Sequence, residues 1–187
     1  MIYVYTGPMF SEKSKALINT YNLLTDESQA KALCFKPSKD NRDKTKIRSR
    51  ALKQQIDAIV IKTFEDILKY IKEDTKYIFI DEIQFITGNY NILMDLSIEK
   101  DIDFYIAGLS LTSEQKPFGE MPNILAIANE ILTLYALCEC GHEAAYSYCK
   151  ENKTSDILIG DKEYKPVCRE CLIKYRKGKT NERKGRI

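Results

Sequence analysis

Residues 7–14 read Gly-Pro-Met-Phe-Ser-Glu-Lys-Ser, and the patterns on both sides of this stretch decide the fold. Residues 1–6 alternate apolar and aromatic side chains, which predicts a buried strand. From residue 13 to 24 the apolar residues recur at helical spacing. A strand, a glycine-containing loop ending in Lys-Ser and a helix is the arrangement that binds phosphate groups through backbone N–H groups, a lysine and a Mg²⁺-binding hydroxyl. The stretch therefore predicts a nucleotide phosphate-binding loop.

Glu12 departs from this loop motif, because the motif has its second glycine at that position. A carboxylate ~5 Å from a phosphate charge, at an effective dielectric of ~20, would be repelled by ~3 kcal/mol. Either the Glu12 side chain turns out to solvent, or the loop has lost part of its activity. A chance strand–loop–helix is the remaining explanation.

A second motif makes the chance explanation weaker. Residues 77–82 read Tyr-Ile-Phe-Ile-Asp-Glu, an apolar strand that ends in two acids about seventy residues after the loop. In phosphoryl-transfer sites the first acid of such a segment supports Mg²⁺, and a neighbouring carboxylate can accept the proton of the nucleophile. The pair Asp81 and Glu82 is thus predicted to complete a phosphoryl-transfer site.

The rest of the chain alternates strand and helix patterns, which predicts an α/β fold with a parallel sheet covered on both faces. Further strands are predicted at 31–35, 56–61, 77–80 and 103–109, and helices at 63–71, 90–99 and 122–130. The polar stretch 37–54 has no apolar period and is predicted to be a mobile loop or a weak helix. We expect a nucleotide-binding domain at 1–136, a small domain at 137–176 and a flexible basic tail at 177–187.

Five of the six cysteines lie between residues 138 and 171. Two close pairs suit a tetrahedral zinc site in a zinc-ribbon-like module, with the ligands Cys138, Cys140, Cys168 and Cys171. Because the first pair has one intervening residue instead of two, Cys149 or His142 as a substitute ligand stays open, as does the absence of a metal. Four protein ligands leave no position for a reacting water, so the site would be structural.

Composition and charge narrow the class of protein. The 187 residues are 44% hydrophobic and 30% charged, with a net charge of +2, typical of a globular protein with a core. Residues 174–187 carry +6, so residues 1–173 carry −4, which disfavours nucleic-acid binding by the body of the chain. Short apolar runs and the lack of a signal-like start favour the cytoplasm and no membrane partner.

Several motifs together resemble one family, the type II thymidine kinases. They occur in order along residues 2–176: the loop at 7–14, Phe35-Lys36-Pro37-x-x-Asp40-x-Arg42, Ser49-Arg50, Asp81-Glu82-x-Gln84-Phe85, Gly108-Leu109, Lys116-Pro117-Phe118-Gly119 and the paired cysteines. The resemblance implies a P-loop, RecA-like sheet with helices on both faces. It also implies ATP-dependent, Mg²⁺-dependent phosphorylation of the 5′-hydroxyl of thymidine or deoxyuridine in pyrimidine salvage, structural zinc, a homotetramer and feedback inhibition by dTTP.

The resemblance also implies roles for individual residues. Glu82 would be the catalytic base, and Ser14 would bind magnesium. The ATP phosphates would be bound by a larger set: Gly7, Pro8, Met9, Phe10, Ser11, Glu12, Lys13, Ser14, Asp40, Arg42, Asp81 and Gln84. The nucleoside would be bound by a second set: Met9, Phe85, Leu109, Phe118, Ile157, Leu158, Ile159, Gly160 and Tyr164.

Besides Glu12, four positions depart from the family pattern: Ser110, Ser113, Gln115 and Cys149. These departures leave a second hypothesis, a weakened or inactive relative that binds nucleoside or dTTP, or that assembles with an active subunit. A zinc-ribbon nucleic-acid binder that uses the basic tail is a third.

Overall fold

A computed structural model describes residues 1–27, 31–40, 45–49, 53–150 and 162–184. Within these residues the strands are β1 (Ile2–Thr6), β2 (Lys31–Pro37), β3 (Lys46–Ser49), β4 (Gln54–Asp57), β5 (Ile59–Ile61), β6 (Thr75–Ile80), β7 (Asp103–Gly108), β8 (Glu130–Thr133), β9 (Ala136–Leu137), β10 (Glu143–Ala144), β11 (Tyr146–Cys149) and β12 (Tyr164–Val167). The α-helices are α1 (Lys13–Glu27), α2 (Asn91–Glu99), α3 (Met121–Ile127) and α4 (Arg169–Lys184). Short 3-10 helices span Phe64–Lys69 and Ile83–Phe85.

The described strands form a six-stranded parallel sheet in the order β5-β2-β6-β7-β1-β8. In this order β1 and β6 are separated only by β7, so the loop after β1 and the acids after β6 lie at the same edge of the sheet. Parallel sheets bind ligands at this carboxyl edge. The predicted fold class, an α/β sheet with helices on both faces, is confirmed.

Two apolar clusters cover the faces of the sheet. On one face, β-strand residues such as Ile78 and Ile106 pack with Phe64, Leu93 and Met121 from the helical segments, all fully buried. On the other face, α1 packs over the sheet with buried side chains that include Leu17, Ile18 and Phe79. Each fully buried side chain of this size contributes about 1.5–3 kcal/mol. Both ends of the phosphate loop are therefore fixed by core elements, β1 and α1.

The stretch 37–54, predicted as a mobile loop or weak helix, includes strand β3 and the first residue of β4, which pair in an antiparallel hairpin. Ile47 pairs with Ile56, and both are buried in the cluster beneath α1. The predicted strand at 56–61 is also divided, because β4 ends at Asp57 in the hairpin and β5 begins at Ile59 in the main sheet. The prediction for 37–54 was wrong because its one isoleucine, Ile47, gives no period, and the burial of Ile47 depends on α1.

Residue 130 was predicted to lie in a helix, but it begins strand β8. The helix ends at Ile127, and Ala128 has an extended ψ of 137°. The side chain of Asn129 then accepts a hydrogen bond from the Ile2 N–H at 2.7 Å, which starts the pairing of β8 with β1. All four residues of β8 are exposed, so the strand carries no alternating pattern that the sequence could reveal.

The C-terminal segment has an apolar cluster of its own, formed by Ala136, Cys138, Ala144, Val167, Cys168, Cys171 and Leu172. Strands β9–β10 and β11–β12 form two small antiparallel pairs around it, and α4 follows. This helix runs to Lys184 and so continues past the predicted start of the basic tail at residue 177. No helix in the described ranges has the length and apolar character needed to span a membrane.

Candidate active site

Side chains of the loop at residues 7–14 form hydrogen bonds with a carbonyl group of the same loop. Ser11 Oγ donates to the Pro8 carbonyl at 2.9 Å, and Lys13 Nζ donates to the same oxygen at 2.6 Å. Gly7 is needed for a close approach, because a Cβ there would lie 2.0 Å from the carbonyl oxygen of Leu134. Lys13 is only 8% exposed, so its ammonium group is held against the loop.

Glu12 has the conformation that the motif normally reserves for glycine. Its φ is 62°, in the left-handed region that disfavours residues with a Cβ. The side chain is 50% exposed, and its carboxylate accepts a hydrogen bond from Lys15 Nζ at 2.7 Å. The Glu12 carbonyl accepts the Ala16 N–H at 3.0 Å, as in the first turn of a helix. Of the two alternatives for Glu12, the structure has the outward-turned side chain.

Ser14 and Asp81 meet beneath the loop. Ser14 Oγ donates to Asp81 Oδ2 at 2.9 Å, and the Glu82 N–H donates to Asp81 Oδ1 at 3.0 Å. Burial, together with the neighbouring Glu82 carboxylate, raises the pKa of Asp81 to about 7 although Ser14 opposes the shift. A divalent cation would favour the charged carboxylate, and hydroxyl and carboxylate oxygens are the ligands that Mg²⁺ takes. These two residues therefore fit a magnesium ion.

Glu82 is held by a buried glutamine. Gln84 Nε2 donates to Glu82 Oε2 at 2.5 Å, and Gln84 Oε1 accepts the Leu109 N–H at 3.0 Å. Gln84 is 3% exposed. Glu82 itself has a φ of 53°, a strained conformation that persists where the surrounding contacts impose it. Gln84 thus links Glu82, which follows β6, to Leu109, which follows β7. The family resemblance had placed Gln84 among the phosphate-binding residues.

Aromatic side chains lie beside these acids. The rings of Phe85 and Phe118 meet edge to face, with their centroids 5.3 Å apart. Gly119 follows with a φ of 50°, and a Cβ there would lie 2.1 Å from the Gln84 carbonyl oxygen. The residue Met9 reaches the C-terminal segment, because its N–H donates to Ser147 Oγ at 2.9 Å.

The remaining site residues expected from the sequence differ in how far the structure describes them. Asp40 is buried and pairs with Lys36 at 3.2 Å, at the carboxyl end of β2. Tyr164 is buried in β12 opposite Cys149. Arg42 and residues 157–160 lie outside the described residues.

The four cysteines predicted as metal ligands come together. The sulfur atoms of Cys138, Cys140, Cys168 and Cys171 all lie within 4.8 Å of one another. Cys149 is not in this group, and His142 Nδ1 lies 3.4 Å from Cys140 Sγ. The four-sulfur set is compatible with zinc, which prefers four thiolates in structural sites.

The pKa values of two thiols in this cluster are shifted in opposite directions. Burial opposes ionisation of Cys138, but hydrogen bonds from the backbone N–H groups of Cys140 and Cys168 outweigh it and lower the pKa of Cys138 to about 6. Hydrogen bonds with the sulfurs of Cys140 and Cys138 raise the pKa of Cys171 to about 12. A metal cation would stabilise all four as thiolates, because thiolate is the binding form.

Sequence reasoning missed Ser147. This residue is 6% exposed, lies in β11 and accepts the hydrogen bond of Met9, 138 residues away. A serine between two tyrosines carries no motif, so no signal in the sequence marked it.

Comparisons with known proteins show which family the chain belongs to. The sequence profile described as "Thymidine kinase" matches residues 1–172. The chain belongs to the thymidine kinase family. A "Thymidine kinase" of Pseudothermotoga lettingae is 34% identical over 171 residues, covering 90% of this chain and 92% of that protein. The "Thymidine kinase" of Onion yellows phytoplasma is 35% identical and covers 96% of this chain and 91% of its own length. The "Thymidine kinase" of Mesomycoplasma hyopneumoniae is also 35% identical and covers 91% of this chain and 94% of its own length.

Membership of the thymidine kinase family confirms the resemblance read from the motifs, and it makes the chain one of a family of kinase enzymes. The names of the relatives support thymidine kinase function, and they do not favour the inactive alternative.

Proposed function

We propose that this protein transfers the γ-phosphate of ATP to the 5′-hydroxyl of thymidine. The observation that carries the proposal is the hydrogen-bonded path from Ser14 through Asp81 and Glu82 to Gln84, which joins the phosphate loop to a fixed carboxylate. A nucleoside hydroxyl stays protonated near neutral pH, so transfer depends on positioning, Mg²⁺ and a nearby carboxylate. All three requirements have residues at this one edge of the sheet.

Each residue then has a stated task. Ser14 and Asp81 would hold Mg²⁺, and the ion would supply positive charge that neutralises the phosphates. Lys13 and the loop N–H groups bind the phosphate oxygens, and Glu82 accepts the proton of the 5′-hydroxyl. Gln84 orients Glu82 by donating to Oε2.

The nucleoside is received between the phosphate loop and the C-terminal segment. The Leu109 N–H donates to Gln84, and Phe85, the next residue after Gln84, packs on Phe118. The Met9 N–H in the phosphate loop donates to Ser147 of the C-terminal segment, and these contacts support the proposal. Residues 157–160 and Tyr164 complete the proposed pocket. In the four-cysteine cluster zinc would have a structural task, since it would join the two ends of the segment from residue 138 to 171.

Assembly and regulation follow the family resemblance: a homotetramer inhibited by dTTP. Self-association is supported by β8, the edge strand of the sheet among the described residues, where Ile131 and Leu132 are half exposed, and by Leu137, which is 72% exposed. Light scattering coupled to gel filtration measures the oligomeric state, and dTTP titration during turnover measures inhibition.

The test is a turnover assay with purified protein, ATP, Mg²⁺ and thymidine, in which dTMP is followed by chromatography. Glu82→Gln keeps the size of the side chain and removes the base, so we expect turnover to fall by about 100-fold or more. Glu99→Gln, an exposed carboxylate at the end of α2, is the matched control and should leave turnover unchanged. Folded, zinc-loaded protein without turnover would support the inactive alternative instead.

A further inference from the structure

Ser147 is the point where three parts of the chain meet. Its hydroxyl accepts the hydrogen bond of the Met9 N–H in the phosphate loop, at 2.9 Å. Its carbonyl accepts a hydrogen bond from Gln115 Nε2 at 3.4 Å. Because Ser147 lies in β11, between the two cysteine pairs in sequence, these bonds tie the cysteine-bearing segment to the nucleotide-binding part.

Gln115 lies in a tight turn after β7. The turn is closed by hydrogen bonds from Thr112 N to Lys116 O at 2.8 Å and from Gln115 N to Thr112 O at 2.9 Å. Gln115 has a φ of 60°, in the left-handed region, which costs a residue with a Cβ about 1–2 kcal/mol. Such a conformation persists where other contacts hold it.

The contacts that hold Gln115 come from both sides of the junction. Its Nε2 donates to Ser113 O at 2.6 Å and to Ser147 O, and its Oε1 accepts a hydrogen bond from the Arg176 guanidinium on α4. A carbonyl only accepts and a guanidinium only donates, so the residue between them must do both. An amide side chain meets this demand. A lysine or arginine would repel Arg176, and a glutamate would lose the donor.

This turn is connected to the proposed nucleoside pocket through Phe118. Leu111 and Pro117 bridge the base of the turn, and the Phe118 N–H donates to Ser110 O at 3.1 Å. Phe118 packs on Phe85, next to the Glu82–Gln84 pair.

We propose that Gln115, clamped between Ser147 and Arg176, is a positioning residue that fixes β11 and α4 against the turn before Phe118 and so sets the affinity for the nucleoside. This inference rests on the proposed function, because it concerns the nucleoside side of the same site. It assigns the larger effect of the clamp to nucleoside binding and a smaller effect to ATP binding, because the clamp also reaches Met9 of the phosphate loop through Ser147.

The test compares Gln115→Ala, Gln115→Glu and Arg176→Ala with two controls, Glu114→Ala in the same turn and Lys177→Ala, the next cation on α4. Both control residues are exposed. We expect Gln115→Ala to raise the KM for thymidine about 10-fold, as the loss of one or two hydrogen bonds predicts. The KM for ATP should change less, within about twofold, since Gln115 reaches the phosphate loop one hydrogen bond further away, through Ser147 and the Met9 N–H. Gln115→Glu should fall between the wild type and Gln115→Ala, because it keeps the acceptor for Arg176 and loses the donor.

Two further measurements separate positioning from folding and from failure of the proposed function. Bound zinc and the Tm identify a variant whose cysteine-bearing segment no longer folds. Thymidine binding by calorimetry repeats the comparison without requiring turnover, so it remains decisive if the wild type proves inactive. Equal changes in both KM values, or an unchanged thymidine affinity in Gln115→Ala, would overturn the inference. An Arg176→Ala/Gln115→Ala double variant no worse than Gln115→Ala alone would support it.

Discussion

The Glu12→Gly variant tests how this loop tolerates a carboxylate where its motif has glycine. Three effects on stability oppose one another. Glycine relieves the left-handed strain of φ 62°, worth about 1–2 kcal/mol. It also gives the unfolded chain more freedom, which costs about 0.5–1 kcal/mol. The exposed Glu12–Lys15 ion pair, lost in the variant, contributes about 0–1 kcal/mol. The net change is therefore about 1 kcal/mol or less, or about 2–4 °C in Tm for a chain of this size.

The effect on ATP binding follows from the direction of the side chain. If the Glu12 carboxylate faced the phosphates at ~5 Å, its removal would improve binding by ~3 kcal/mol, or about 100-fold. The carboxylate instead lies on Lys15 at 2.7 Å and is half exposed, so its charge is paired and screened. We expect the KM for ATP to fall by no more than about fivefold in Glu12→Gly, with kcat little changed.

Lys15 supplies the matched comparison. Lys15→Ala removes the cation that pairs with the Glu12 carboxylate, so this variant should weaken ATP binding by several-fold in the Glu12 protein. The weakening should be smaller when position 12 is glycine, because the repelling charge is then gone. Steady-state kinetics on the four proteins of this double-mutant cycle measure the coupling. A gain of about 100-fold in Glu12→Gly, or full turnover appearing only in that variant, would refute the outward-turned carboxylate.

Three other predictions concern parts of the site that differ in chemistry. Removal of zinc by a chelator, or Cys171→Ala, should lower the Tm, measured by fluorimetry. The same changes should weaken thymidine binding more than ATP binding, measured by calorimetry. Equal losses of thymidine and ATP binding would contradict a role of zinc confined to the cysteine-bearing segment. Lys36→Met removes the buried cation 3.2 Å from Asp40 and should cost about 3–5 kcal/mol in urea unfolding, whereas Lys36→Met/Asp40→Leu should recover most of it; no recovery would show that the pair itself is needed. Because burial raises the pKa of Asp81 to about 7 from 3.8, the folded protein binds a proton there that the unfolded chain releases. Without Mg²⁺ this part of the stability is present at low pH and is lost as pH rises to about 7, so Asp81→Asn should flatten the dependence of urea unfolding on pH between 5 and 7.5.

The central part of the fold was predictable because its signals are local. The strand, loop and helix around residues 7–14 are contiguous, and the strand before Asp81 is an apolar run that ends in two acids. Each of these elements is specified by its own residues. The structure places them at one sheet edge because β7 alone separates β1 from β6.

The elements that could not be predicted depend on distant partners. The hairpin β3–β4 is buried only because Ile47 and Ile56 pack beneath α1. Strand β8 is exposed along its whole length, so only its pairing with β1 defines it. The contacts of Ser147 and Gln84 have the same character: they join residues 138 and 25 positions apart, and neither residue type is diagnostic alone.

Two glutamines of this site each join two groups by donating one hydrogen bond and accepting another. Because Glu12 belongs to neither set of contacts, the loop accommodates it. Gln84 donates to Glu82 and accepts from the Leu109 N–H, whereas Gln115 donates to Ser147 and accepts from Arg176. Each amide satisfies a donor and an acceptor that no carboxylate or ammonium could satisfy together. The geometry of the site thus depends on these two amides and on backbone groups. A substitution on the exposed side of the loop, paired with Lys15, leaves that network of hydrogen bonds unchanged.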